Sequence, residues 1–233
     1  MSKGKFVAFA LIAASLLSWQ IAGVNNATSG TSGIVDPCSS LVWMTGTTPV
    51  CMMNCPLDDG RDLDTDLGVV IYVQARDGSA VPTSGIAGIP TQDIWMEGCS
   101  GTVVLCGGGG SIDADSATNA FGYTTITGDW SASGCDLTGI VVVIQGVPVS
   151  DATTCLPICL DFDVTSPDGT GDGGIVDGVV ELADFSKYGT LHNGHTQLPP
   201  VYDACWDFNC DGLIELLDFS TFGQHWTHDC QGP

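Results

Sequence analysis

Hydrophobic and polar positions along the chain fall into two regimes. Between residue 41 and about residue 149, short runs rich in Val, Ile, Thr and aromatic residues recur between Gly, Pro and Asp turns, at 67–74, 92–96, 102–105, 123–127 and 139–145. None carries a helical period, so these runs predict strands. Short strands at regular spacing predict a β-sandwich over residues 41–158. Further on the period changes. Leu182, Phe185 and Tyr188, then Leu216, Phe219, Phe222 and Trp226, stand at i, i+3, i+4 spacing. They predict two short helices whose apolar stripes pack one repeat on the other, within a small helical module over 159–233. The expected fold class is therefore mainly β, with that module appended. Residues 151–165 read as a connector, with Cys155 and Cys159 tying the junction, and 192–200 as an exposed linker.

The N-terminal end belongs to neither regime. Lys3 and Lys5 precede an uncharged apolar run over 6–17, which reads as a secretory signal occupying 1–23. A retained membrane anchor is the alternative, although the run is short for a span. Residues 24–40 are polar and rich in Gly, Ser and Thr, and predict a flexible tail that includes the sequon Asn26-Ala-Thr28. With apolar Ile34 and Val35 and few charges, residues 25–41 have the character of a strand that a neighbouring sandwich edge can accept.

Charge narrows the partners. The chain has 27 acidic residues against 5 basic ones, a net charge of −22, so nothing is available to replace counterions on nucleic-acid phosphates. A hydrophobic fraction of 44% with 14% charged residues argues against disorder and leaves the acid as solvated surface and metal ligands. The 11 cysteines, behind a leader, predict disulfides in an oxidising compartment, with an odd thiol left over. Cys205 and Cys230 bracket the second repeat and read as its clasp. Cys51-x3-Cys55 and Cys155-x3-Cys159 lack a second pair at zinc-finger spacing.

The sharpest chemical signal lies near the C-terminus, in Asp207-Phe-Asn209-Cys-Asp211-Gly212-Leu213-Ile-Glu215-Leu-Leu-Asp218. Oxygen-bearing side chains at places one, three, five, nine and twelve, with Gly at six, match an EF-hand calcium loop. Calcium takes six to eight oxygens, the inward-pointing odd positions supply them, and Leu213 offers its carbonyl. Asp177-Gly-Val-Val-Glu181-Leu-Ala-Asp184-Phe-Ser-Lys-Tyr-Gly189 aligns without a gap on Asp211-Gly-Leu-Ile-Glu215-Leu-Leu-Asp218-Phe-Ser-Thr-Phe-Gly223, with eight of thirteen positions identical. Ungapped alignment puts Gly173 and Ile175 at the first two ligand places. Asp168 and Asp172 fit a loop carrying an insertion, and the choice among Asp168, Asp172 and Asp177 stays open.

Two loop–helix units in tandem resemble the dockerin type I module, over about residues 166–230. The resemblance implies calcium held by Asp207, Asn209, Asp211, Leu213, Glu215 and Asp218, and in the first loop by Asp168, Asp172, Asp177, Glu181 and Asp184. It also implies a cohesin partner. Such dockerins often carry Ser/Thr at the tenth and eleventh loop places, where this chain has Leu182/Ala183 and Leu216/Leu217. The segments Val73-Gln-Ala-Arg-Asp77-Gly-Ser-Ala-Val-Pro82 and Thr118-Asn-Ala-Phe-Gly122-Tyr-Thr124-Thr resemble bacterial Ig-like domains of the invasin kind. That resemblance implies a rigid spacer or adhesive module.

No catalytic constellation accompanies these features. There is no Gly-x-Ser-x-Gly elbow, no His-Glu-x-x-His and no Gly-x4-Gly-Lys-Ser/Thr, and the glycine run at 107–110 reads as a hairpin tip. Glu97 beside Trp95 is an isolated carboxylate. The acidic stretch at 58–66 reads as a solvated turn rather than a third ion site, and His192, His195, His225 and His228 as surface or helix-end histidines. The expected function is a secreted, non-catalytic, calcium-binding structural protein that self-assembles into an extracellular fibre or surface layer. A cohesin-binding dockerin protein is the alternative, and an accessory to a carbohydrate-active enzyme the third.

Overall fold

The computed structural model of the chain describes residues 33–46, 50–57, 59–79, 85–106, 112–169, 176–192 and 202–229. The expectations for the leader, for the tail up to residue 32, for Asp172, for 107–110 and for most of the 192–200 linker lie outside those residues.

Alternation makes the first sheet. In β3 (Val70–Gln74), Ile71 and Val73 point into the core while Tyr72 faces outward. Strand β1 (Leu41–Thr45) lies antiparallel on one side of it, pairing Val42 with Val73. Strand β6 (Tyr123–Ile126) lies antiparallel on the other, pairing Ile71 with Ile126. On the outer surface Trp43 stacks on Tyr72 at 5.3 Å, the cross-strand aromatic pairing that fixes register. A second antiparallel sheet runs β4 (Ile94–Gly98), β8 (Ile140–Ile144), β9 (Val147–Pro148). Every residue of β8 is buried, which explains why its run is apolar without alternation. Strands β5 (Val104–Leu105) and β7 (Ala132–Ser133) form a short ribbon.

The remaining sheet is parallel. Strand β2 (Val50–Met53) pairs with β10 (Phe162–Thr165), matching Val50 to Phe162 and Met53 to Thr165. Met52, Ile71, Val73, Ile94, Met96, Ile126, Trp130, Val142, Phe162 and Val164 share one buried core. Each such side chain gains about 1.5–3 kcal/mol on leaving water. The β region thus reaches residue 165. Residues 159–165, expected to be connector and helical module, belong to it, because Leu160, Phe162 and Val164 close its core.

The tail is also shorter than expected. From Gly33 the chain lies on the β region: Val35 is buried, the Asp36 amide donates to Arg76 O at 2.8 Å, and Cys38 is bonded to Cys155. Residues 33–36 are therefore not a free strand for a neighbour's edge.

The helical part comprises α1 (Leu182–His192), a 3-10 turn at Ala204–Trp206 and α2 (Leu216–Gln224). Tyr188, Leu191, Trp206, Phe208, Ile214 and Phe222 form its core together with Met53 from β2. The stripes do join the repeats. Phe185 lies 6.2 Å from Phe219 and 6.1 Å from Phe222, and Tyr188 lies 5.8 Å from Phe222. The backbone adds a short bridge, with Val180 N donating to His228 O and Thr227 N to Val180 O, both at 2.9 Å.

Two disulfides weld this part to the β region: Cys51 of β2 to Cys210, and Cys135 to Cys205. Cys205 is therefore not the clasp expected with Cys230. Cys155 and Cys159 likewise bond to Cys38 and Cys99 inside the β region instead of tying the junction. Four disulfides among the described residues suit an oxidising, extracellular setting. Among the same residues no helix is long and apolar enough to cross a membrane.

Candidate metal centres

The second acidic loop is wound around one carboxylate. Asp207 is fully buried and accepts from Gly212 N at 2.8 Å, Asp211 N at 3.2 Å and Tyr202 OH at 2.7 Å. Asn209 Oδ1 accepts from Asp211 N at 3.0 Å, and Asp211 Oδ1 from Leu213 N at 2.9 Å. These short Asx contacts coil the chain, and Gly212 supplies the left-handed residue they need at φ +87°. The loop then enters α2 through a capping box in which Glu215 accepts from the Asp218 amide and Asp218 Oδ2 from Glu215 N at 2.8 Å. The other Asp218 oxygen accepts from Phe208 N at 2.8 Å, closing the loop on its own start.

The first loop repeats this pattern and resolves which acid stands first. Asp168 Oδ2 accepts from Gly178 N at 2.8 Å, as Asp207 does from Gly212. Asp177 Oδ1 takes Val179 N at 3.0 Å, and Asp184 Oδ2 takes Glu181 N at 2.9 Å. Gly178 sits at φ +84°. Asp168 is thus the counterpart of Asp207 and Asp177 that of Asp211, with the extra residues accommodated between Asp168 and Asp177. Gly173 and Ile175, the places given by ungapped alignment, lie outside the described residues.

Electrostatics single out both loops. Asp168, Asp184, Asp207 and Asp218 are all buried, in a chain with few cations. Burial, against opposing hydrogen bonds, pushes Asp184 up to about 7, with repulsion from Asp168, Asp177 and Glu181 adding to it. Asp168 rises to about 6, again chiefly through burial and with Asp177 contributing. Asp218 is raised by burial and by Asp207 and Asp211. Asp184 Oδ1 is buried with no hydrogen-bond partner. Converging oxygen donors, mutual repulsion and an orphaned carboxylate oxygen form the donor chemistry that a hard cation such as calcium takes.

A second centre is chemically unlike these. Among the described residues, Cys55, Asp59, His225 and His228 place one Sγ, one carboxylate oxygen and two imidazole nitrogens within 4.8 Å of one another. Cys55 is the free cysteine there and is fully buried. Its amide donates to Trp130 O at 3.1 Å and its carbonyl accepts from Ala132 N at 3.2 Å, fixing it beside β7. The chain then doubles back, with Arg61 N donating to Met53 O at 2.9 Å. Gly60 permits the approach, since a Cβ there would stand 2.4 Å from Met53 O. That return delivers Asp59 to Cys55. His225 caps the end of α2, and the turn continues through His228 N to His225 O at 3.2 Å.

Within the cluster Asp59 Oδ1 lies 3.1 Å from His225 Nδ1 and 3.3 Å from His228 Nδ1, and Cys55 Sγ lies 3.2 Å from His228 Nδ1. Burial, then the hydrogen bond to Asp59, pushes the Cys55 thiol up. Burial likewise lowers His225, against the pull of Asp59. Burial works to raise Asp59, but the Cys55 hydrogen bond and the two histidines together hold it below the ordinary carboxylate range.

Sequence reasoning placed His225 and His228 at the surface or a helix end. His225 does end α2, but it is buried, and both rings turn onto Asp59. The leftover thiol and the His-x2-His spacing were the available signals. His192 instead stacks on Tyr188 at 5.8 Å. In the acidic stretch, Asp62 Oδ1 accepts from Asp64 N and Thr65 N, a turn closed by its own backbone. Glu97 accepts from Trp95 Nε1 at 2.8 Å.

No family model matches the chain, and no curated protein does. Among solved structures, the crystal structure of the Lin-41 filamin domain aligns over 57% of this chain and 97% of that one. Identity is 16% and the TM-score 0.26, a superposition too loose to carry an argument.

Proposed function

We propose that the chain is a secreted, non-catalytic structural protein in which an Ig-like β domain carries a dockerin-like calcium module and copies associate outside the cell. Calcium is held in the second loop by Asp207, Asn209, Asp211, Glu215, Asp218 and the Leu213 carbonyl. Asp168, Asp177, Glu181 and Asp184 hold it in the first, with Asp172 within the inserted stretch.

The observation that carries association is an exposed apolar ridge on the helical part. Leu182 and Leu216 occupy the same place in each repeat and are 68% and 71% exposed; Leu217 is 59% exposed. One helical turn further along each repeat, the half-exposed Phe185 and Phe219 rings meet at 6.2 Å. Monomeric proteins seldom leave such a patch in water. A second copy is the proposed occupant: net charge −22 opposes its approach, and an uncharged face adds no like-charge contacts to that cost. Calcium in the neighbouring loops lowers the repulsion further.

Sedimentation of the purified chain tests this, with and without calcium, beside a Leu182→Asp/Leu216→Asp variant. Assembly in calcium that is lost in either control is expected. A wild type that stays monomeric at high concentration in calcium overturns the proposal. If that monomer captures a cohesin, the docking alternative stands, since the ridge covers the duplicated loop places at which such dockerins vary.

A further inference from the structure

We propose that Cys55, Asp59, His225 and His228 form a transition-metal site, suited to Zn²⁺, that clasps the C-terminal turn to the β region. It is independent of the calcium loops and of the self-association proposed above.

The spacing of the donor atoms supports this. Zinc with one sulfur at about 2.3 Å and nitrogen or oxygen at about 2.0–2.1 Å gives tetrahedral edges of about 3.3–3.6 Å. Three of the separations here are 3.1 Å for His225 Nδ1 to Asp59 Oδ1, 3.3 Å for His228 Nδ1 to Asp59 Oδ1, and 3.2 Å for His228 Nδ1 to Cys55 Sγ. All four atoms fall within 4.8 Å of one another, so a small inward adjustment encloses one ion.

The donor types decide which ion. A thiolate and two imidazoles are poor ligands for calcium and good ones for zinc, and the carboxylate is accepted by either. One thiolate and one carboxylate neutralise a divalent ion, leaving a cluster without net charge in a largely buried place. On binding, the Cys55 S–H bond breaks, its proton passes to solvent and the sulfur lone pair forms the bond to zinc. Four protein donors leave no open position, which makes the site structural rather than catalytic.

His228 Nδ1 faces both Cys55 Sγ and Asp59 Oδ1, so three of the four donor atoms already converge on one point. An ion at the centre satisfies all four atoms together.

The placement gives the site a purpose. Cys55 and Asp59 lie just after β2, and the histidines lie where the chain leaves α2 and His228 O holds the first repeat through Val180 N. An ion here joins the β region to both repeats beyond the reach of the disulfides Cys51 to Cys210 and Cys135 to Cys205.

The test uses the full chain, stripped of metal and resupplied with excess calcium. Zn²⁺ is titrated against a chromophoric competitor, and Co²⁺ serves as the spectroscopic probe. We expect one tight equivalent, with Co²⁺ showing a thiolate charge-transfer band and the intense visible bands of tetrahedral coordination. Cys55→Ser should abolish the charge-transfer band, and Asp59→Asn and His228→Gln should weaken zinc binding at least tenfold. Asp59 is 47% exposed, so its substitution leaves the core intact, and the wild-type cobalt spectrum depends on no variant at all. An octahedral cobalt spectrum without a thiolate band overturns the proposal. So does zinc affinity unchanged by Asp59→Asn.

Discussion

The two acidic loops and the Cys55 cluster hold their side chains by opposite means. In each loop the carboxylates are aimed by the backbone that bears them: Asp207 by Gly212 N, Asp168 by Gly178 N, Asp218 and Asp184 by the amides of Glu215 and Glu181. The geometry survives an insertion in the first loop, because what matters is the pair of ends brought together and not the length between them. The cluster has no such template. Its four donors come from the chain just after β2, from a return loop pressed on β2 and from the turn after α2, and each is fixed by different contacts. A loop of the first kind tolerates change within its span, whereas a cluster of the second kind is sensitive to anything that shifts one segment against another.

The largest effect should come from withdrawing calcium while zinc is held constant. An ion at a thousandfold excess over its Kd contributes about 4 kcal/mol per site, so with both loops emptied melting should fall by about 15–30 °C. The cobalt spectrum of the Cys55 cluster should persist below that transition. A melting temperature indifferent to calcium breaks the comparison at its first term.

Next in size is loss of the bridge from Cys51 to Cys210, which ties β2 to the second loop. The double Ala variant should lose about 2–4 kcal/mol of stability by denaturant titration. It should weaken calcium binding, because Cys210 lies inside the second loop, and a loss of zinc binding as well would show that the bridge also holds β2 against the end of α2. An effect on calcium alone shows that the cluster is positioned without it.

A pH series on calcium-free protein should give a smaller change. Asp168 and Asp184 have folded values raised to about 6 and about 7, above their unfolded range near 4. The folded state then holds more protons between these limits. Their contribution is most favourable below about pH 4 and is lost as pH rises through 6 to 7. Melting without calcium should therefore be about 5–10 °C lower at pH 8 than at pH 5. Saturating calcium should abolish or reverse that slope, because ion and proton compete for the same oxygens. A calcium-free protein more stable at pH 8 contradicts the repulsion.

The smallest change sharpens the contrast. Gly60→Ala sets a methyl group against Met53 O and should displace Asp59 from Cys55. The cost should be about 1 kcal/mol of stability, the low end for overpacking, since the return loop is partly exposed. Zinc affinity should drop while calcium affinity, read by titration calorimetry, does not move.

What the sequence determined by itself is what short-range physics controls. Short runs of Val, Ile, Thr and aromatic residues between turn residues located β3, β4, β5, β6 and β8. Helical spacing located the stripe of Phe185, Tyr188, Phe219 and Phe222. Asp207, Asn209 and Asp211, spaced two residues apart ahead of Gly212, located a loop whose backbone amides bond mainly to side chains of its own span. The parallel pairing of β2 with β10 was not legible, because Val50-Cys-Met-Met and Phe162-Asp-Val-Thr become strands only against each other. Asp168 was one of several acids until Gly178 N selected it. The partners of Cys155, Cys159 and Cys205 were set by the path of the chain, as was the exposure of Leu182 and Leu216. The Cys55 cluster is the extreme case: a leftover thiol, one acid among 27 acidic residues and two unremarkable histidines acquire meaning only when β2 and the end of α2 converge. Local patterns are written in neighbouring residues, whereas a site built from distant segments depends on the packing of everything between them.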